Sequence, residues 1–173
     1  SINVAIHDLE DPDFPRRVAA ALRRHDAQAI DLCLEITEGG LMADPEQART
    51  TLDTLHEAGH RLAIDDFGTG YSSLAYLKSL NVDTVKIDQL FVRDLPLNML
   101  DQTIVRGIVT MVDGFGRSLI AEGAESAEHM TLLQSLGCHL VQGYGIARPM
   151  PADDIVAWVN SASQCVAESS GAA

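Results

Sequence analysis

Residues Ile64–Leu74 read I-D-D-F-G-T-G-Y-S-S-L, and the interpretation of the whole chain starts from this stretch. It continues an apolar run and leads into a helical pattern of leucines, so Asp65 and Asp66 stand at the end of a strand. Two ionised carboxylates held side by side repel one another, and a cation offsets that cost. Oxygen ligands suit Mg²⁺ or Mn²⁺. The pair predicts a metal site, although an acidic turn before a helix explains the two residues alone equally well.

The rest of the stretch describes a tight loop followed by a helix. Gly68 and Gly70 permit sharp, exposed turns directly after the two carboxylates. Ser72 or Ser73 is predicted to cap the helix that begins there, because serine oxygens accept hydrogen bonds from the first free N–H groups of a helix.

The composition is that of a globular chain that does not bind nucleic acid polymers. Its 173 residues are 46% hydrophobic, enough for one domain with a core, and carry a formal net charge of −13. Proteins that bind DNA or RNA need basic surfaces, whereas a small phosphate ligand can be accommodated when a metal supplies the positive charge. Three widely spaced cysteines and the lack of a membrane-spanning run predict a cytoplasmic location, or the cytosolic part of a membrane-anchored protein.

Short apolar runs alternate with helical patterns, which predicts a parallel sheet covered by helices. The predicted strands are Ile2–Ile6, Ile30–Thr37, Arg61–Asp65, Val82–Ile87, Ser118–Glu122 and His139–Gln142. The predicted helices are Pro15–His25, Pro45–Ala58, Ser73–Leu80, Leu100–Phe115, Ala127–Leu136 and Ala152–Asn160. Glycines are predicted to end three of these helices, at Gly59, Gly116 and Gly137. One domain is predicted over residues 1–160, followed by a flexible tail over 161–173.

Polar side chains stand near the C-terminal ends of the last five predicted strands, at Glu35, Asp65, Lys86, Glu122 and Gln142. They converge only if the sheet curls, as it does in a (βα)₈ barrel, whose active site lies at that rim. An open doubly wound sheet would carry a G-x-G-x-x-G loop after its first strand, and the sequence has none. The predicted fold is therefore an α/β, TIM-type barrel. This chain is expected to carry about six of its βα units, and two more are expected before Ser1.

Several motifs, in this order and at matching spacing, resemble those of the EAL domain family, bacterial phosphodiesterases that act on cyclic di-GMP. They are L-E-I-T-E (34–38), D-D-F-G-T-G-Y-S-S-L (65–74), V-K-I-D-Q-L-F-V (85–92), I-A-E-G-A-E (120–125), Q-G-Y (142–144) and R-P-M (148–150). The resemblance extends from Ser1 to about Trp158. It implies a barrel with two Mg²⁺ or Mn²⁺ ions that hydrolyses one phosphodiester bond of cyclic di-GMP, giving linear pGpG.

The resemblance also implies a role for each matching residue. The implied metal ligands are Asn3, Glu35, Asp65, Asp66 and Glu122. The implied catalytic residues are Lys86, which contacts the attacking water, Glu122, which is a ligand or general base, and Gln142, which holds the water network. Glu38 is implied to anchor the loop after Asp66, and Asp88 is expected to support the site without touching the reacting atoms.

The sequence departs from the family at its start. The namesake Glu-Ala-Leu motif, which supplies one further metal ligand, does not occur in the chain, nor does the arginine that closely follows it. Both are expected upstream. The isolated chain is accordingly expected to fail as a monomeric enzyme, because six strands cannot close an eight-stranded barrel.

Two functions of different classes remain open. The first is a metal-dependent phosphodiesterase. The second is a non-catalytic module that binds cyclic di-GMP as a receptor. Degenerate members of the family lose acidic ligands, and the presence of these acidic residues here favours the enzyme. A different metal-dependent barrel enzyme is a third hypothesis. The resemblance further implies a homodimer formed through residues 100–115, and upstream sensory or GGDEF-type domains.

Overall fold

The computed structural model describes residues 1–70 and 74–170, and the side chains of these residues up to 161. The predicted helix cap at Ser72 or Ser73 lies outside the described residues. Among the residues described, no helix combines the length and the apolar character that crossing a bilayer requires.

Six strands form one parallel sheet in which each strand pairs with the next along the chain. They are β1 (Ile2–Val4), β2 (Cys33–Thr37), β3 (Arg61–Phe67), β4 (Thr84–Ile87), β5 (Ser118–Glu122) and β6 (Leu140–Gln142). A helical connection follows each of the first five strands and brings the chain back to start the next strand in parallel. This sequential βα order is that of a TIM-type barrel, and it confirms the predicted fold class: the chain carries six βα units.

Eight α-helices lie among the described residues. They are α1 (Ile6–Leu9), α2 (Phe14–Arg24), α3 (Glu38–Leu41), α4 (Pro45–Glu57), α5 (Leu74–Ser79), α6 (Met99–Gly114), α7 (Ala127–Ser135) and α8 (Ala152–Ser170). Two 3₁₀ helices cover Ala29–Asp31 and Gln89–Phe91. The three predicted helix ends are confirmed, because Gly59, Gly116 and Gly137 adopt positive φ angles of 92°, 69° and 95° directly after α4, α6 and α7.

Four strands are shorter than predicted: β4 begins at Thr84 rather than Val82, β6 begins at Leu140 rather than His139, and the first two strands also shorten. The first strand ends at Val4, and the chain turns into α1, which buries Leu9 and leaves Ile6 45% exposed. The second strand begins at Cys33 rather than Ile30. There, the Gln28 and Asp31 side chains each bond the other's backbone and hold a 3₁₀ turn, which competes with extended structure.

Strand β3 and helix α8 are longer than predicted. Strand β3 continues past Asp65 to Phe67, which is buried. Helix α8 runs past the predicted end at Asn160 to Ser170, because neither proline nor glycine occurs between Pro151 and Gly171 to stop it. The predicted domain boundary at residue 160 therefore falls inside a helix.

The sheet separates an apolar layer from a polar interior. One face of each central strand packs under the helices, and Leu34, Ile36, Leu62, Val85 and Ile87 are completely buried there. The opposite face carries Glu35, Asp65 and Lys86 among smaller residues. Alternation along each strand thus directs the polar side chains into the curled sheet.

Candidate active site

Lys86 is the centre of the polar interior. Its Nζ lies 3.0 Å from Glu35 Oε2, 3.0 Å from Asp65 Oδ1 and 2.6 Å from Glu122 Oε1. The side chain is 4% exposed. Burial by itself would lower the pKa of Lys86, but the hydrogen bonds that its ammonium group donates to Glu122, Glu35 and Asp65 outweigh burial and raise the pKa. A permanently charged ammonium group therefore holds carboxylates from three strands together.

Strand register extends this cluster along the rim. Asn3 on β1 is the register partner of Glu35, and Gln142 on β6 is the partner of Glu122. Partners in a parallel sheet share a face, so both amides lie beside the carboxylates that contact Lys86. Asn3 and Gln142 are exposed, in contrast to Lys86.

An irregularity in β3 brings two neighbouring carboxylates to one place. Successive residues of a regular strand face opposite sides, so Asp65 and Asp66 could not otherwise share a site. The pairing of β3 with β4 shifts between Ile64 and Phe67, and Asp66 adopts a left-handed φ of 55°. Aspartate tolerates this conformation better than most residues. As a result, Asp65, Asp66 and Glu122 present oxygens that all lie within 4.8 Å of one another.

The crowded carboxyl groups fit a divalent cation. Burial raises the pKa of Asp66, and the neighbouring charge of Asp65 and a hydrogen bond with Asp88 raise it further. Burial also raises the pKa of Glu122, against the opposing effect of Lys86. For Glu35, hydrogen bonds with Ser1 and Lys86 outweigh the effect of burial and lower the pKa. Carboxyl groups of raised pKa beside ionised ones form an oxygen donor set that Mg²⁺ or Mn²⁺ would stabilise.

Glu38 and Asp88 hold the backbone around these carboxylates. Glu38, 3% exposed, accepts hydrogen bonds from the N–H groups of Gly68 (2.9 Å) and Gly70 (3.1 Å) through Oε2. Asp88 caps the 3₁₀ helix by accepting a 2.7 Å hydrogen bond from Leu90 N, and it also bonds the Asp66 carboxyl group. Both side chains therefore act on the segment that carries Asp66.

A cavity of about 250 Å³ opens beside Glu122. It is lined by Gln89, Glu122, Gly123, Glu125, Gln142, Gly143 and Tyr144. Sequence reasoning missed Gln89, Glu125 and Tyr144 as lining residues. Their membership of the A-E-G-A-E and Q-G-Y motifs and of the strand-end segment V-K-I-D-Q was the only signal available.

The family is identified by comparison with known proteins. A model of the EAL domain matches residues 1–149. This chain belongs to the EAL domain family. Among curated relatives, an uncharacterised protein of Mycobacterium tuberculosis is 43% identical over 152 residues, which are 88% of this chain and 24% of that protein. The cyclic di-GMP phosphodiesterase PA2567 of Pseudomonas aeruginosa is 36% identical over 159 residues, 92% of this chain and 27% of that protein. The EAL chain thus spans about a quarter of the length of these relatives.

Solved EAL structures share the architecture. The EAL domain of Mycobacterium smegmatis DcpA superposes with a TM-score of 0.84 at 42% identity, over 89% of this chain and 69% of that one. The PaMucR phosphodiesterase in complex with c-di-GMP gives 0.84 at 37% identity, over 88% and 62%. Klebsiella pneumoniae BlrP1, in a manganese and c-di-GMP complex, gives 0.80 at 35% identity, over 86% and 38%.

Proposed function

We propose that the protein carrying this EAL domain is a metal-dependent phosphodiesterase that hydrolyses cyclic di-GMP to linear pGpG. The observation that carries the proposal is the contact of Lys86 with Glu35, Asp65 and Glu122, next to the displaced carboxylate of Asp66. Relatives named as cyclic di-GMP phosphodiesterases, and a structural neighbour in complex with c-di-GMP, support the choice of substrate.

We propose two Mg²⁺ or Mn²⁺ ions, held by Asn3, Glu35, Asp65, Asp66 and Glu122. Such ions supply Lewis acidity and lower the pKa of a coordinated water. The manganese complex of the Klebsiella neighbour supports the choice of metal.

The side chains around the ligands have distinct tasks. Lys86 orients the attacking water and balances the charge that develops on the phosphodiester, because its ammonium group is fixed by three carboxylates. Glu122, which contacts Lys86 at the same rim, is the alternative to an ion ligand in this scheme: a general base that accepts a proton from that water. Gln142 lies beside Glu122 in register and bonds the water through its amide. Glu38 and Asp88 keep the segment after Asp65 in place.

The decisive experiment compares hydrolysis with binding in the full-length protein. We expect Mn²⁺-dependent conversion of cyclic di-GMP to pGpG, followed by chromatography, and loss of both turnover and Mn²⁺ binding in Asp65→Asn. Asp66→Asn is expected to weaken one ion more than the other. The exposed Asp94→Asn variant is the matched control. Tight binding of cyclic di-GMP without hydrolysis would contradict the proposed enzyme and favour the receptor function.

The wider context of the domain belongs to the same proposal. We propose a cytoplasmic domain, linked to sensory or GGDEF-type domains, that forms a homodimer through helix α6. Met99 and Leu100 at the start of α6 are 73% and 67% exposed, and Leu97 just before it is 91% exposed. Exposed apolar side chains grouped in this way favour a protein partner over water. Sedimentation of the full-length protein with Leu97→Asp and Leu100→Asp would test the dimer.

A further inference from the structure

Asp66 and Glu122 belong to one group of possible metal ligands but come from strands that are not paired with each other in the sheet. Their carboxylate oxygens lie within 4.8 Å of each other, whereas β3 and β5 are separated by β4. The loop after each strand must therefore be set at a fixed distance from the other. Because β4 lies between β3 and β5, the segment that leaves β4, residues 88–91, starts between the two loops.

On one side, this segment is packed directly on the loop that follows Asp66. A Cβ atom at Gly68 would lie 2.6 Å from Cε2 and 3.1 Å from Cζ of the Phe91 ring, closer than van der Waals contact allows. Asp88 N also donates a hydrogen bond of 3.4 Å to Phe67 O. The ring of Phe91 therefore occupies the space that a side chain at position 68 would need.

On the other side, the same segment is packed on the loop that follows Glu122. A Cβ atom at Gly123 would lie 2.6 Å from Gln89 Cβ and 3.3 Å from Gln89 Cα. Gln89 and Phe91 are two residues apart in one 3₁₀ helix, and Leu90 between them is 53% exposed. Phe91 thus packs on Gly68 in one loop and Gln89 packs on Gly123 in the other loop, while Leu90 between them faces solvent.

Contacts with the core and with two helices also fix this segment. Val92 and Leu95, which follow it, are completely buried. Gln102 Nε2 donates to Leu95 O at 3.0 Å, and His129 Nε2 lies 3.1 Å from Arg93 O. These contacts attach the segment to α6 and α7, so it cannot shift without disturbing the core.

We propose that the 3₁₀ helix Gln89–Phe91 is a spacer whose two outer side chains set the distance between Asp66 and Glu122. Phe91 is the positioning residue for the Asp66 loop, and Gln89 is the positioning residue for the Glu122 loop. The inference rests on the proposed metal-dependent function, because the quantity that the spacer controls is the separation of the ligands.

The spacer is tested with Phe91→Ala and Gln89→Gly in the full-length protein, because Gln89 approaches Gly123 through its Cβ atom, which alanine would keep. Leu90→Ala and Leu90→Gly are the matched controls from the same helix. The primary readout is the electron paramagnetic resonance spectrum of Mn²⁺-loaded protein without substrate, which reports the coupling between neighbouring Mn²⁺ ions. We expect weaker coupling and a loss of about 10- to 100-fold in affinity for one Mn²⁺ in both variants, the size typical of residues that support metal ligands. Both Leu90 variants should match the wild type.

Further readouts separate the spacer from simpler roles. Thermal unfolding identifies a variant that only loses packing: it would be less stable while its Mn²⁺ coupling is unchanged, and this would overturn the proposal. If Gln89 only contacted substrate in the adjacent cavity, its replacement would raise KM and leave the Mn²⁺ coupling unchanged. That result would also overturn the proposal. Phe91→Leu, which keeps an apolar side chain against Gly68, should restore most of the coupling. A wild-type protein without coupled Mn²⁺ would refute the two-ion function itself.

Discussion

At the scale of single residues, the decisive arrangement is one cation among three carboxylates. Lys86 would be costly to bury alone, and its contacts with Glu35, Asp65 and Glu122 offset that cost. The same contacts hold the ammonium group in one position before any ligand arrives. Such preorganisation is what makes a charged side chain effective on a developing charge.

Replacing Lys86 by alanine should lower turnover more than substrate affinity. A group that acts on the attacking water stabilises the transition state preferentially, and the loss of one such contact costs on the order of 10²–10³ in kcat. Steady-state kinetics with cyclic di-GMP measure this, with the exposed Lys78→Ala as control. A raised KM with normal kcat would instead make Lys86 a contact to the phosphate of the ground state.

A second buried residue makes stability depend on pH. His60 is 4% exposed, and its Nδ1 has no hydrogen-bond partner among the described residues. Burial lowers the pKa of His60, although backbone hydrogen bonds with Leu32 and Ala29 oppose the effect. The folded state therefore prefers neutral His60, and the unfolded state takes up a proton first as the pH falls below about 6.5. This contribution to stability is present above that pH and is lost below it.

We therefore expect the free energy of unfolding to fall between pH 7.5 and pH 5.5 by more in the wild type than in His60→Gln, as measured by urea denaturation at each pH. Exposed His139→Gln should keep the wild-type slope. An identical slope in His60→Gln would show that another group is responsible.

At the scale of elements, the loop after β3 depends on close approach of backbone and side chain. Glu38 at the start of α3 accepts two hydrogen bonds from this loop, and a Cβ atom at Gly70 would lie 2.9 Å from its carboxyl group. Helix α5, which follows, is held by Arg117, whose guanidinium donates to Leu77 O and Leu80 O at 2.8 and 2.6 Å. Side-chain hydrogen bonds thus hold Gly68 and Gly70 after β3, and separately hold the C-terminal part of α5.

Gly70→Ala should displace Glu38 and loosen the loop that carries Asp66. We expect a loss of about 10- to 100-fold in Mn²⁺ affinity or turnover, as for other groups that support metal ligands, measured by calorimetry and steady-state kinetics. Gly107→Ala in α6 is the control, since nothing lies within 4 Å of its Cβ position. There, alanine should stabilise the helix by up to about 1 kcal/mol. Wild-type Mn²⁺ affinity in Gly70→Ala would separate Glu38 from the metal site.

At the scale of the whole molecule, the sheet has two open edges within the described residues. Strands β1 and β6 each pair with a single neighbour, and Ile2 and Leu140 on them are 50% and 52% exposed. Unpaired strand edges with apolar side chains pair readily with another chain.

Purified residues 1–173 alone should therefore self-associate with increasing concentration, as measured by analytical ultracentrifugation. The double variant Ile2→Lys, Leu140→Lys should shift the distribution towards monomer, because edge lysines oppose strand pairing. Lysine at exposed Val156 in α8 is the control. A wild-type chain that stays monomeric at every concentration would contradict this expectation.

The sequence by itself determined the βα alternation, the helix ends at glycine, the family and the strand ends at which polar side chains gather. The family follows from the resemblance of the quoted motifs, and the other features follow from local periodicity and backbone preference, which neighbouring residues carry. The sequence-based prediction of the second strand was wrong at its start, where Gln28 and Asp31 close a turn, because that contact competes with the extended structure that the apolar pattern predicts.

Only the tertiary structure decided how the site is assembled. Lys86 meets Glu35, 51 positions away, because the sheet curls. Asp66 shares a site with Asp65 because β3 is irregular at that point. Gln89 approaches Gly123 because both leave neighbouring strands at one rim. Distances of this kind depend on curvature and on contacts between residues remote in sequence, and no local pattern of residue types encodes them.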